Sequence, residues 1–290
     1  MKQLVILSGK GGTGKTTIAS AFIQLAHASA YADCDVDAPN LHLINRNFDH
    51  QNKEDYHGLV KANINQELCI KCHYCVDHCR FNAIQEGLQF VVNQLSCEGC
   101  GVCELVCPAH AISLVSSVDG EITLSFNDDE FFSSATLKMG SGTSGMLVSR
   151  VKAQLKEKAD NLPFAIIDGS PGIGCPVIAS INGADMVLVV TEPSLSGISD
   201  MKRIVQTIQK AHLKMALCIN KSDININQSL AIKEFAKKNS IPFAGEIPFD
   251  EEVIKCINKG KTIIESDSKA KDAIKIIFNR VMKWFLDENE

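Results

Sequence analysis

Four short apolar runs stand out along the chain: Gln3–Ser8, Phe164–Asp168, Met186–Thr191 and Met215–Asn220. They are rich in Leu, Val and Ile, too short for buried helices, and bounded by Gly, Asn or Asp, which predicts buried strands. Stretches with helical apolar spacing lie between them, the first from Lys15 to about Ala28. Alternation of this kind predicts an α/β fold built on a mostly parallel, doubly wound sheet with helices on both faces. Near the end, Ile274, Ile277, Val281 and Phe285 recur at helical intervals within Ala270–Leu286. The segment closes on Asp-Glu-Asn-Glu, whereas membrane-surface helices carry a basic polar face. A helix packed on the sheet is therefore expected. The Gly- and Ser-rich stretch Met139–Gly145 reads as a mobile loop or a plain linker ahead of a helix from about Met146.

Between Gly58 and about Ile122 the alternation stops and cysteines take over. Cys69, Cys72, Cys75 and Cys79 form a run whose spacing recurs at Cys97, Cys100, Cys103 and Cys107, and each run is followed by an Ala-Ile step, Ala83-Ile84 and Ala111-Ile112. The repeat sits inside the α/β pattern. The expected organisation is thus a discontinuous domain of residues 1–57 and 126–290 with an inserted domain at 58–125.

Composition narrows the function classes. The 290 residues are 45% hydrophobic and 22% charged, with a formal net charge of −5. That charge argues against a broad nucleic-acid face. No apolar run is long enough to span a bilayer, and the apolar start runs straight into glycines and lysines, unlike a secretory signal. The expectation is a cytoplasmic protein with no nucleic acid partner and no stable membrane insertion. In a reducing compartment twelve cysteines, eight of them between Cys69 and Cys107, point to metal ligation and not to disulfides.

Gly9-Lys10-Gly11-Gly12-Thr13-Gly14-Lys15-Thr16 fits the P-loop pattern between a predicted strand and a helix. Its glycines let backbone N–H groups face phosphate oxygens, and the following helix offers its positive end. Lys15 is then expected on the β- and γ-phosphates and Thr16 on Mg2+, with Thr17 next to them. The second lysine, Lys10, resembles the deviant Walker A motif of the MinD/Mrp/nitrogenase-iron-protein ATPases. That resemblance implies an ATP-dependent homodimer in which Lys10 reaches the partner's nucleotide. Two further segments look like the group's switches. In Asp33–Asn40, Asp35 aligns with the residue that orients the attacking water. In Asp168-Gly169-Ser170-Pro171-Gly172, Asp168 holds Mg2+ through water. Asn220-Lys221-Ser222-Asp223 has the form of a base-reading motif; it leaves GTP open, while the deviant loop resembles ATPases in which the asparagine alone contacts adenine. Pro248, with Phe249 and Asp250, resembles the loop that closes over the base.

Both cysteine runs have the spacing C-x2-C-x2-C-x3-C, in which one run gives three thiolates to one cluster and its fourth to the other. The implied sets are Cys69, Cys72, Cys75 and Cys107 for one 4Fe-4S cluster, and Cys97, Cys100, Cys103 and Cys79 for the second. The segment resembles a bacterial two-cluster ferredoxin, with Arg80 in place of the proline that follows the second run as Pro108. The alternative metal is zinc, which favours two widely spaced pairs. His73 and His78 read as surface residues beside the ligands, and Cys218 and Cys256 as packing residues. Cys34 lies in the first switch-like segment. Cys175 follows Asp168 at the remove at which the nitrogenase iron protein carries a cluster-bridging cysteine, but the second cysteine that bridge would need is missing from 139–145.

The combination resembles MinD-superfamily ATPases with an inserted ferredoxin domain: a mostly parallel doubly wound P-loop NTPase sheet with a small α+β ferredoxin-like insertion. The leading expectation is an ATPase with ATP, Mg2+ and two 4Fe-4S clusters as cofactors, whose turnover is coupled to an unknown redox or regulatory protein partner. The alternatives are a MinD-like positioning switch with structural or sensing clusters, and an iron–sulfur carrier resembling the Mrp group. The carrier lacks the late Cys-x-x-Cys pair that group uses.

Overall fold

The structure is a computed structural model that describes residues 1–43 and 48–287; the acidic tail 288–290 lies outside them. In chain order, β1 (Lys2–Ser8), α1 (Lys15–Ala26) and β2 (Ala30–Asp33) form the first βαβ unit. They are followed by β3 (His50–His57), β4 (Lys61–Ile64), α2 (Tyr74–Asp77), β5 (Ile84–Gln85) and β6 (Val91–Val92). Then come α3 (Val102–Leu105), β7 (Ile112–Val115), β8 (Val118–Phe126), β9 (Phe131–Leu137) and α4 (Ser144–Ala159). The chain continues through β10 (Phe164–Asp168), α5 (Cys175–Ile181), β11 (Met186–Thr191), α6 (Leu195–Lys210) and β12 (Lys214–Asn220). It ends with α7 (Ile226–Lys238), β13 (Phe243–Ile247), α8 (Glu251–Asn258) and α9 (Lys269–Leu286).

Among the described residues the large sheet has nine strands in the order β13-β12-β11-β1-β10-β2-β9-β8-β3. From β13 to β9 every pairing is parallel, and β8 and β3 extend the edge antiparallel. Alternate residues of one strand feed two cores, as a doubly wound sheet requires. Leu4 and Ile6 pack with Phe22 of α1 and with Ile274, Ile277, Val281 and Phe285 of α9. Val5 and Leu7 pack with Leu147, Val151, Met201 and Ile204 from α4 and α6. The four expected strands are present, and the last helix lies on the sheet. No helix of the described residues is long and apolar enough to cross a membrane.

The cysteine-rich segment leaves the sheet after β3 and returns at β8, and these strands are antiparallel neighbours with His57 opposite Val118. Its two ends are therefore side by side, which is where a sheet tolerates an insertion. The segment was expected to run to 125, but Val118–Phe126 is a strand of the large sheet. The excursion itself covers 58–117. It contains two small antiparallel sheets, β4 with β7 and β5 with β6, and the single-turn helices α2 and α3. Its own small core gathers Ala62, Ile64, Ile84, Phe90, Val92 and Ile112 around the buried Cys75 and Cys97.

Candidate functional site

The loop Gly9–Gly14 joins β1 to α1 at the carboxyl end of the central strand, the position at which open α/β sheets bind ligands. Gly14 is left-handed at φ +88°, and a Cβ there would meet Asn220 Nδ2 at 2.2 Å, so both conformation and space demand glycine. That amide nitrogen donates to the Thr13 carbonyl at 2.7 Å, and Lys221 Nζ donates to the Gly12 carbonyl at 3.0 Å. Asn220 and Lys221, at the end of β12, thus pin the loop from the outside.

Lys15 is 5% exposed. Its ammonium lies 2.6 Å from Asp168 Oδ1, and the Thr16 hydroxyl donates to Asp168 Oδ2 at 2.7 Å. Burial alone lowers the Lys15 pKa, but the Asp168 charge and hydrogen bond, with Asp33 and Asp35 behind them, raise it above the ordinary value. Asp33 ends β2 next to Asp168, and the Cys34 amide donates to the Asp168 carbonyl at 2.8 Å. The Asp33 carboxylate accepts from the amides of Asp35, Asn40 and Leu41. Burial and the neighbouring Asp168 push Asp33 up to about 7, against the pull of Lys15 and these amides. Asp35 is raised too, first by burial, with Lys15 opposing.

Lys10 is held within its own chain. Its ammonium pairs with Glu192 Oε1 at 2.6 Å and donates to Ser194 and Ser196 at 3.3 and 3.1 Å. The other Glu192 oxygen lies 3.4 Å from Lys221 Nζ. Burial raises the Glu192 pKa, but Lys10 and Lys221 together outweigh it and hold the carboxyl below its usual range. Glu192 was not foreseen in the sequence. Its signal was its place, one residue beyond β11, the strand that pairs with β1.

Asp223 accepts from the Phe249 amide at 2.7 Å, which ties the Pro248–Phe249 turn to the end of β12. Cys175 is exposed at the start of α5, where a Cβ on Gly145 would touch its Cβ at 3.0 Å. Cys34 and Cys218 are wholly buried thiols that burial pushes up to about 12.

In the inserted segment the cysteines surround two cavities. One is lined by Cys69, Cys72, Cys75 and Cys107; the other is lined by Cys79, Cys97, Cys100 and Cys103. Each takes three thiols from one run and a fourth from the other. The repeat extends to the backbone. Left-handed residues Lys71, His73 and Asn82 recur at the same offset as Gly99, Gly101 and His110. The amides of Ala83 and Ala111 donate to Cys79 and Cys107 Sγ at 3.4 and 3.3 Å. His73 sits 3.5 Å from Glu86, and the His78 ring bonds the Tyr74 carbonyl. Among the described residues no group of three or more His, Cys, Asp or Glu side chains is arranged to hold a single metal ion.

A family model described as the CobQ/CobB/MinD/ParA nucleotide binding domain matches residues 4–263. An uncharacterised protein of Methanocaldococcus jannaschii is 32% identical over 97% of this chain and 97% of its own. The fold is similar to the cell division ATPase MinD of Pyrococcus furiosus, with TM-score 0.57 and 17% identity over 98% of this chain and 99% of that one. It is also similar to septum site-determining protein MinD of Pyrococcus horikoshii complexed with Mg-ADP, with TM-score 0.57 and 17% identity over 98% and 96%.

Proposed function

The chain belongs to the CobQ/CobB/MinD/ParA nucleotide-binding family, and from that premise we propose that it is a homodimeric ATPase whose nucleotide state is coupled to two 4Fe-4S clusters in the inserted segment. Bound Mg2+-ATP supplies the phosphoanhydride and a metal that neutralises charge on the transferred phosphoryl group. Lys15 holds the β- and γ-phosphates, Thr16 offers its hydroxyl to Mg2+, and Asp168 steadies both through the bonds it already makes to them. Asp35, inside the field of Lys15, orients the attacking water. Lys10 leaves Glu192 to reach the nucleotide of a second copy. Adenine is favoured over guanine because the loop with its second lysine, Lys10, resembles ATPases in which the asparagine alone contacts the base.

The donor sets fit iron–sulfur clusters. Four soft thiol ligands line each cavity, three from one run and the fourth from the other, and amides donate to their sulfurs. Zinc favours two widely spaced pairs, which these two tight runs with crosswise fourth cysteines are not.

One observation carries the coupling. The loop 138–143 packs at one end beneath Leu95, which precedes Cys97, where a Cβ on Gly140 would meet Leu95 Cδ2 at 2.5 Å. Beyond its other end, Gly145 in the first turn of α4 packs on Cys175, which opens α5 just after the second switch-like segment Asp168–Gly172. A nucleotide that reorders this switch therefore displaces the ground under the second thiol set. The partner that exchanges electrons or is regulated remains a protein of redox or regulatory type, acting in the cytoplasm.

The test is ATP hydrolysis by protein purified without oxygen, measured with the clusters oxidised and then reduced by dithionite. Reduction should change the rate several-fold in the wild type and not in Gly140→Ala. If the rate ignores reduction with iron fully loaded, the coupling fails and a partner-positioning switch becomes the better account.

A further inference from the structure

The two halves of the cysteine segment correspond in their cysteines, their left-handed positions and a pair of glutamine bonds, but they differ at one buried charge. Gln66 donates to the Phe90 carbonyl, and its counterpart Gln94 donates to the Ala62 carbonyl. By the same correspondence Lys61 answers to Gln89. Lys61 is 8% exposed, and its ammonium donates to the main-chain carbonyl of Cys97; Gln89 is neutral and exposed. Next to Lys61, the Ala62 amide donates to Cys97 Sγ at 3.5 Å. The Cys79/Cys97/Cys100/Cys103 set therefore receives amide bonds from Ala62 and Ala83 and lies beside a buried cation. The other set receives the Ala111 amide bond.

Other charges lie close to both cavities. Lys71 lines the first and Glu98 the second. Both are exposed and screened by water, whereas Lys61 acts through protein. Positive charge and hydrogen bonds to sulfur stabilise the more negative, reduced form of a cluster and raise its potential.

We propose that Lys61 makes the two sites unequal, so that a cluster held by Cys79, Cys97, Cys100 and Cys103 accepts an electron at a higher potential than one held by Cys69, Cys72, Cys75 and Cys107. This rests on the cluster reading above. It places the electron sink at the stem of the segment, where a Cβ on Gly99 would collide with the Val60 carbonyl and where Leu95 meets Gly140. Electrons from a one-electron donor that docks at the distal set would then settle beside the ATPase body.

The experiment is an EPR-monitored redox titration, with dithionite and mediators, of anaerobically purified wild type, Lys61→Met, Lys61→Gln and Lys61→Arg. Iron and sulfide content is determined for each. Two unequal midpoints are expected in the wild type. The higher should shift downward in Lys61→Met and Lys61→Gln, with the lower unmoved, and Lys61→Arg should restore it. Equal midpoints in loaded wild type, an unmoved higher midpoint in a loaded neutral variant, or a shift of the lower one alone would each overturn the proposal. Wild type that lacks iron and sulfide after anaerobic purification and reconstitution contradicts the cluster reading itself, a separate result read from composition before any titration.

Discussion

The phosphate loop and the cysteine segment solve opposite problems. Around the loop the principal polar groups already have partners inside the protein: Lys15 and Thr16 share Asp168, Lys10 and Lys221 share Glu192, and Asn220 holds Thr13. That site rests on a nine-stranded sheet with a core on each face. The cysteine segment has strands of two to four residues, a small core, and thiols that face cavities. The first region carries its own architecture and needs a ligand only for chemistry. The second has a core so small that, on the cluster reading, bound clusters would supply much of its remaining stability.

The largest expected effect breaks that contrast directly. Removing iron by anaerobic chelation should unfold the segment between β3 and β8 while leaving the sheet intact. Limited proteolysis should then cut within 58–117 and hydrogen exchange should stay slow in β1, β10 and β11; equal protection throughout would sink the idea. Next, Lys15→Met leaves Asp168 as an unpaired buried charge. It should cost roughly 3 kcal/mol of stability in denaturant melts and lower ATP hydrolysis by at least about a hundredfold, with iron content unchanged. A smaller effect is expected from Glu192→Gln, which frees Lys10 from its own chain. Sedimentation in Mg2+-ATP should show dimers at several-fold lower protein concentration, and Lys10→Ala in the same background should abolish the gain.

The smallest concerns pH. Asp33 is raised from 3.8 to about 7 in the folded protein, chiefly by burial and then by the Asp168 charge. Over that window the native state binds more protons than the unfolded one, so Asp33 makes stability fall as pH rises from about 4 to about 7. Asp33→Asn should flatten the slope of melting temperature against pH there; an unchanged slope would show that other groups set it.

Much of this was legible in the residues. The glycines of the loop, the buried strands and the cysteine spacing are each dictated by a hard constraint: positive φ, burial on both faces, or the reach of four thiols. The sheet's far edge was not. β3 reads His-Gln-Asn-Lys-Glu-Asp-Tyr-His and exposes nearly every residue, so no apolar run announces it; β8 does alternate, with Ile122 and Leu124 buried, but its nearness to the cysteine runs assigned it to the insertion. Lys61 escaped because a lone charge in sequence carries no sign of what it will face, and Glu192 because its one signal, its place just beyond β11, points to a site only once β11 is known to pair with β1. Lys10 was read as a residue for a second subunit, and its partner in its own chain became visible only when β11 was set beside β1.

The central claim is that nucleotide and thiol sets communicate through the loop between Leu95 and Cys175. The most direct measurement compares the EPR spectrum of dithionite-reduced, fully iron-loaded protein without nucleotide and with saturating Mg2+-ATP. The account predicts a change in the spectrum with ATP that disappears in Lys15→Met and is blunted in Gly140→Ala. Superimposable spectra, with ATP bound and both clusters reduced, would contradict it.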